Sequence, residues 1–238
     1  MKYRKPRGQT LSLVIAGQPL PAAAVTAGVT AAAALSGRSG VEVALVAATV
    51  GSGQLTVGWL DNVVDRHRDK QSGVGSNPVA LGWIDPGTVT FAIACAVLLV
   101  VPLSVANGTY AGIAHLLAVA ALWVHRLLLK GSWLSWLPYA AAYGLLPAFL
   151  SYGGLGGGMH GGPPTVEMTV LAALLGIGVH FLTELPHLVA DNRTGLRHLP
   201  LRIALRIGAP RLLWITLAWL TLVGAGIVTT ALTVGLRQ

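Results

Sequence analysis

Charge is what this chain has least of. Only 10% of its 238 residues are Asp, Glu, Lys or Arg, while 54% are hydrophobic. Such a chain cannot cover a globule with polar surface, which excludes a soluble domain and implies an integral membrane protein. It has one cysteine, Cys95, inside an apolar run. An intrachain disulfide is therefore excluded, and a buried packing role is expected for the thiol. Strand-like alternation in segments of about ten residues is missing, which argues against a membrane barrel and for helices. Acidic residues number only eight, so where they fall carries information.

What is abundant is apolar sequence of membrane-crossing length. Runs lie near residues 10 to 36, 41 to 60, 87 to 106, 109 to 128, 133 to 152, 165 to 185 and 210 to 235, each near the roughly 20 residues that span a bilayer. They fill the chain. The expectation is all-α: one polytopic transmembrane bundle over residues 1–238, about seven spans around a central cavity opening near the cytoplasmic side. The basic start, Met1 to Arg7, resembles a signal peptide, but the run after it is span-length and reads as a retained helix.

With a cytoplasmic N-terminus, seven spans leave only Arg38 and Arg237 on the outer side, and every other Lys and Arg inside. This predicts a multi-pass protein of the cell membrane with an outer C-terminus. The net charge of +8 then reports topology and attraction to anionic lipid, and nucleic acid is not an expected partner.

The acidic residues fall in two places. Asp61-Asn-Val-Val-Asp65-Arg-His-Arg-Asp69 ends the second run, and its three carboxylates repeat every four residues on one helical face. Such a cluster repels itself and, unless solvated, suits a hard divalent cation such as Mg2+, which takes one or two carboxylates and keeps positions for water and phosphate. A solvated helix end is the alternative, since Arg66, Arg68 and Lys70 are interleaved. Glu184, His187 and Asp191 end the sixth run at spacing i, i+3, i+7, sharing a face if Pro186 does not break the helix. Five of the eight acidic residues thus sit at one membrane face, where a functional site is the first expectation.

Other residues fit around these. Gln18, within Gln-Pro-Leu-Pro, should kink the first span and free backbone carbonyls near a cavity. Asn77 stands in the polar loop after the acidic helix, which either closes over a headgroup or merely connects. Arg126 and Lys130, four apart, serve either as interfacial anchors or as phosphate partners. Tyr139 and Tyr143 share a face that either packs or stabilises a carbocation. His115, alone in its span, reads as an interhelical hydrogen-bonder. The Gly-rich stretch 153–162 follows no strand, so it reads as a loop. All four lysines lie at span ends or outside, which leaves no mid-membrane amine for a retinal Schiff base.

Taken together these motifs resemble the UbiA superfamily of membrane prenyltransferases, particularly its short actinobacterial-type members, over nearly the whole chain. The family's Asn-Asp-x-x-Asp-x-x-x-Asp motif is matched by Asp61-Asn62-x-x-Asp65-x-x-x-Asp69, with the first two letters exchanged. Gly58-Trp59, Asn77-Pro78, Lys130 with Ser135 to Tyr139, and Leu185-Pro186 to Gly195 are similar too. The resemblance implies Mg2+ held by two Asp-rich helix ends against an isoprenyl diphosphate, whose prenyl group passes to a lipophilic or aromatic acceptor. By the same resemblance Asp61, Asn62, Asp65 and Asp69 form the first metal site, and Asp191 belongs to the second. Lys130, Arg193 and Asn77 contact the diphosphate, with Gln18, Tyr139, Tyr143, Glu184 and His187 around the cavity. The second motif departs from the family, with His187 and Ala190 in place of acids. A terpene cyclase, or a non-catalytic isoprenoid or lipid-phosphate binder, remains open as an alternative. The short chain suggests a homo-oligomer or a lipid-facing opening.

Overall fold

A computed structural model describes residues 8–73, 77–154 and 162–233, all helices and connections. The basic residues Lys2 to Arg7, Arg237, part of the polar loop and most of the Gly-rich stretch lie outside the described residues.

The first span is broken, as its sequence requires. Helix α1 (Gln9–Ala16) meets α2 (Pro19–Leu35) at 58°. Pro19 has no N–H to continue the ladder, and Gln18 takes a left-handed conformation with φ 51°. Carbonyls beside the break are met by α3 (Gly40–Ser72): Trp59 Nε1 donates to Leu13 O at 2.9 Å and Asn62 Nδ2 to Ala16 O at 2.9 Å. A Cβ on Gly58 would land on the Gly17 carbonyl, so this crossing demands glycine. Gly58→Ala is expected to lower stability by about 1–3 kcal/mol through overpacking. Gly224→Ala, where a Cβ meets nothing within 4 Å, provides the control; melts of both in detergent check this.

Ser39 begins α3 with a reciprocal cap, its hydroxyl accepting from Glu42 N–H while the Glu42 carboxylate accepts from Ser39 N–H. Asp85 caps α4 (Pro86–Ala106), accepting from Gly87 N–H at 2.7 Å. Helix α5 (Thr109–Val124) packs on α4, where Ser104 and His115 meet at 2.8 Å, the interhelical bond expected of that histidine. Among the described residues five helices are long and apolar enough to cross a membrane, six if the bent α1–α2 pair counts as one span. The apolar run 133–152 instead forms two short helices, α6 (Leu137–Gly144) and α7 (Leu146–Ser151). Pro147, lacking an N–H, interrupts the ladder between them.

Helix α8 (Val166–Glu184) lies on α6, with Gly176 against Tyr139, and runs into a 3-10 turn (Leu185–His187) at Pro186. Then come α9 (Leu188–Arg193), the amphipathic α10 (Leu199–Ile207) and α11 (Ala209–Thr233), which packs back on α8. Outward faces are apolar, as at Phe91, Leu98, Trp214 and Leu222. Cys95 is also exposed on α4 and not packed inside, because α4 buries only a narrow stripe around Val89, Ile93 and Val100. A cavity of about 890 Å3 runs between α2 and α8, from Leu20 and Thr183 near the acidic helix ends to Arg38 and Gly153 at the far end. The opening expected near one face is therefore a cleft reaching along most of the bundle.

Candidate functional site

The end of α3 and the turn after α5 build the site together. Beyond Val124 the chain widens into a π-helical turn (His125–Leu129), a feature frequent at functional positions. It exposes Leu127 and Leu128 while directing His125, Arg126 and Lys130 inward. Lys130 Nζ donates to Asp61 Oδ1 at 2.7 Å and also to Asp65 Oδ2. Arg126 lies 3.0 Å from Asp61 and donates to the Tyr139 hydroxyl at 3.1 Å, while Arg68 pairs with Asp65 at 2.6 Å. Gln18 Nε2 donates to Asp61 Oδ2 at 2.7 Å, so the kink in the first span delivers its amide to the site. Burial alone would lower the Lys130 pKa, but Asp61 and then Asp65, against the opposing Arg126, hold it above the ordinary lysine value.

Three cations thus face the two carboxylates Asp61 and Asp65. The excess of positive charge suits an anion, and Arg with Lys is the pairing that binds phosphate. Asp69 stands one turn on and accepts from Asn77 Nδ2 at 2.8 Å. The donors of this face are all oxygen, the kind Mg2+ takes. The face therefore fits that ion in kind, with the Lys130 ammonium standing between Asp61 and Asp65 and competing for the same oxygens.

Several expected residues play other parts. Asn62 is one residue past Asp61 and so about 100° around the helix. Its amide nitrogen donates to the Ala16 and Gly58 carbonyls, which gives it a positioning role at the kink. Asn62→Ala should lower stability by about 1–3 kcal/mol by leaving buried carbonyls unpaired, while the midpoint of a Mg2+ titration stays within about twofold; an equal collapse of both would return Asn62 to the metal site. Asn77 ties its loop down, donating to Asn62 O and Asp69 and accepting from Val79 and Ala80 N–H. A connector pinned to the acidic helix is what the described loop residues form.

The second acidic end does not present the expected face. Pro186 tightens the turn, leaving His187 exposed while Glu184 and Asp191 are buried. Arg193 is exposed too. Asp191 Oδ2 lies 3.1 Å from His198 Nε2. Glu184 is surrounded by His125, His180 and His198 at 3.8, 3.9 and 3.9 Å. These histidines, with Ser135 beneath them, are the part that sequence reading missed. The signal available was His180 four residues before Glu184, one helical turn apart.

Tyr139 and Tyr143 do share a buried face, stacked with ring centroids 6.4 Å apart. Tyr143, Val179 and Thr183 line the cavity, so it begins next in sequence to His180 and Glu184.

No family model matches this sequence, and no curated protein matches it. Among solved structures it is similar to that of a UbiA homolog from Archaeoglobus fulgidus bound to GPP and Mg2+, with a TM-score of 0.70 and 14% identity, over 90% of this chain and 76% of that one. At that identity the likeness is one of fold: a UbiA-like helical bundle.

Proposed function

We propose that this chain is a prenyltransferase of the UbiA superfamily, of the short actinobacterial type, acting on an isoprenyl diphosphate such as GPP. The observation that carries the reading is a charged face beside an apolar cavity. Arg126 and Lys130 meet Asp61 and Asp65, and Gln18, which donates to Asp61, stands just before Leu20 at the near end of a cavity of about 890 Å3. A diphosphate needs the first part and a prenyl chain the second.

Asp61, Asp65 and Asp69 would hold Mg2+, which when bound neutralises the leaving diphosphate. Arg126 and Lys130 bind the same oxygens, exchanging some of their contacts with Asp61 and Asp65 for phosphate. The allylic C–O bond breaks, its electron pair leaving with the diphosphate. Tyr143, which lines the cavity and stacks on Tyr139, offers its ring to the resulting cation. An electron pair of a lipophilic or aromatic acceptor then closes the new bond, and the proton it displaces leaves to solvent. The whole chain acts as a single membrane domain in the cell membrane with a cytoplasmic N-terminus, alone or as a homo-oligomer.

One observation favours a second reading, a non-catalytic binder of isoprenoid phosphates. Lys130 already satisfies Asp61 and Asp65 without a divalent ion. Purified protein in liposomes, given labelled GPP, Mg2+ and a panel of aromatic and lipid acceptors, decides between them. Mg2+-dependent release of diphosphate with a prenylated product supports transfer, and a cyclised hydrocarbon would indicate a terpene cyclase. Tight binding of GPP with no turnover across the panel favours the binder.

A further inference from the structure

The group under the acidic face is made of histidine, and it is unfinished. His125 opens the π turn, and His180 and Glu184 lie one turn apart on α8. All three are buried. His125 Nδ1 lies 3.0 Å from the Ser135 carbonyl, which can only accept. That nitrogen therefore carries the proton, and Nε2 of the neutral ring presents a lone pair. Nε2 has no hydrogen-bond partner and faces Glu184 Oε1 at 3.8 Å, an acceptor facing an acceptor with no access to water. His180 Nδ1 is likewise unpartnered and stands 3.9 Å from the same oxygen, its other nitrogen held 3.0 Å from Ser135 Oγ. Glu184 Oε2 is unpartnered as well.

Unsatisfied buried acceptors of this kind are costly, and several pointing at one volume call for a cation there. One donor atom from each of His125, His180 and Glu184 lies within 4.8 Å of the others. Around a tetrahedral ion with bonds of about 2.0–2.1 Å, neighbouring ligand atoms sit roughly 3.3–3.4 Å apart. The observed 3.8 and 3.9 Å spacings need to close by only about half an ångström to meet that geometry.

We propose that His125 Nε2, His180 Nδ1 and Glu184 bind a divalent transition-metal ion of the zinc class, at a site separate from the Asp61–Asp65–Asp69 face. Two imidazoles with one carboxylate select zinc or ferrous iron over Mg2+, which prefers oxygen alone. Asp191, whose carboxylate lies within 4.8 Å of Glu184 and His198, is placed to supply the fourth donor. His198 acts as its orienting partner. Its Nδ1 accepts from Leu201 N–H at 3.2 Å, so Nε2 carries the proton donated to Asp191. Ser135 orients both ligand rings from below, through its carbonyl and its hydroxyl. The ion would clamp the π turn that carries Arg126 and Lys130 to α8.

Metal binding is read without turnover, so the result stands whether or not the chain transfers prenyl groups. Metal-stripped full-length protein in detergent is titrated with Co2+ and with Zn2+ in the presence of millimolar Mg2+. The expected result is one equivalent of Co2+ giving visible d–d bands that Zn2+ abolishes and Mg2+ does not. Zinc-edge X-ray absorption of the wild-type protein should show two nitrogen scatterers at about 2.0–2.1 Å. His125→Ala and Glu184→Gln should lose the bands, Ser135→Ala should weaken binding by about tenfold, and exposed His187→Ala should leave it unchanged. An absence of bands at equimolar Co2+, an all-oxygen zinc environment, or full binding in His125→Ala overturns the proposal.

Discussion

Asp65→Asn is expected to reduce Mg2+-dependent consumption of an allylic diphosphate by roughly 100- to 1,000-fold, the range seen when one preorganised charge contact to a transition state is lost. The substitution keeps the shape of the side chain and removes its charge. Asp65 is buried and shares Lys130 with Asp61. Its loss leaves Asp61 alone against Arg126 and Lys130, so anion binding should survive while the metal-dependent step fails. The measurement is diphosphate release in liposomes beside GPP binding by the same protein. Equal loss of binding and turnover would indicate that Asp65 acts only in holding the helix end.

Lys130→Met should produce the largest loss of stability at the site, about 3 kcal/mol, the low end for breaking a buried ionic group, because Asp61 keeps Arg126 and Asp65 keeps Arg68 when the shared ammonium is removed. Both acids sit close around the ammonium, whose side chain is 13% exposed. If these oxygens bind Mg2+, the cost is recoverable: the thermal midpoint of Lys130→Met should rise with Mg2+ far more than that of the wild type, since the ion no longer competes with a tethered ammonium. A melt that does not respond to Mg2+ would count against a metal role for Asp61 and Asp65.

The helical membrane architecture and one half of the site could be read directly from the chain, for a physical reason. Asp61, Asp65 and Asp69 are joined by local helical geometry, and spacing alone reveals them. Gln18, expected to kink its span near a cavity, and Lys130, expected at the level of the carboxylates, each touch Asp61. What spacing does not reveal depends on rotation around an axis or on distance along the chain. Asn62 is adjacent in sequence yet faces the α1–α2 kink. His187 has the right register for an unbroken helix, but Pro186 tightens the turn there. The histidines come from three elements, at positions 125, 180 and 198, and nothing but packing brings them together. Ser135, which orients two of them, carries no signal of its own in a single sequence.

The order of packing around the cavity bears on how the chain assembles. Helix α2 packs on α3, α3 on α4, α4 on α5, α5 on α6 and α7, α6 on α8, and α8 on α11, while α2 and α11 face one another across the cleft. Each new helix therefore docks on one made shortly before it, and no step must wait for the last helix to find the first. Low contact order of this kind favours fast, sequential assembly during synthesis. A chain truncated before α11 should still fold its first five helices.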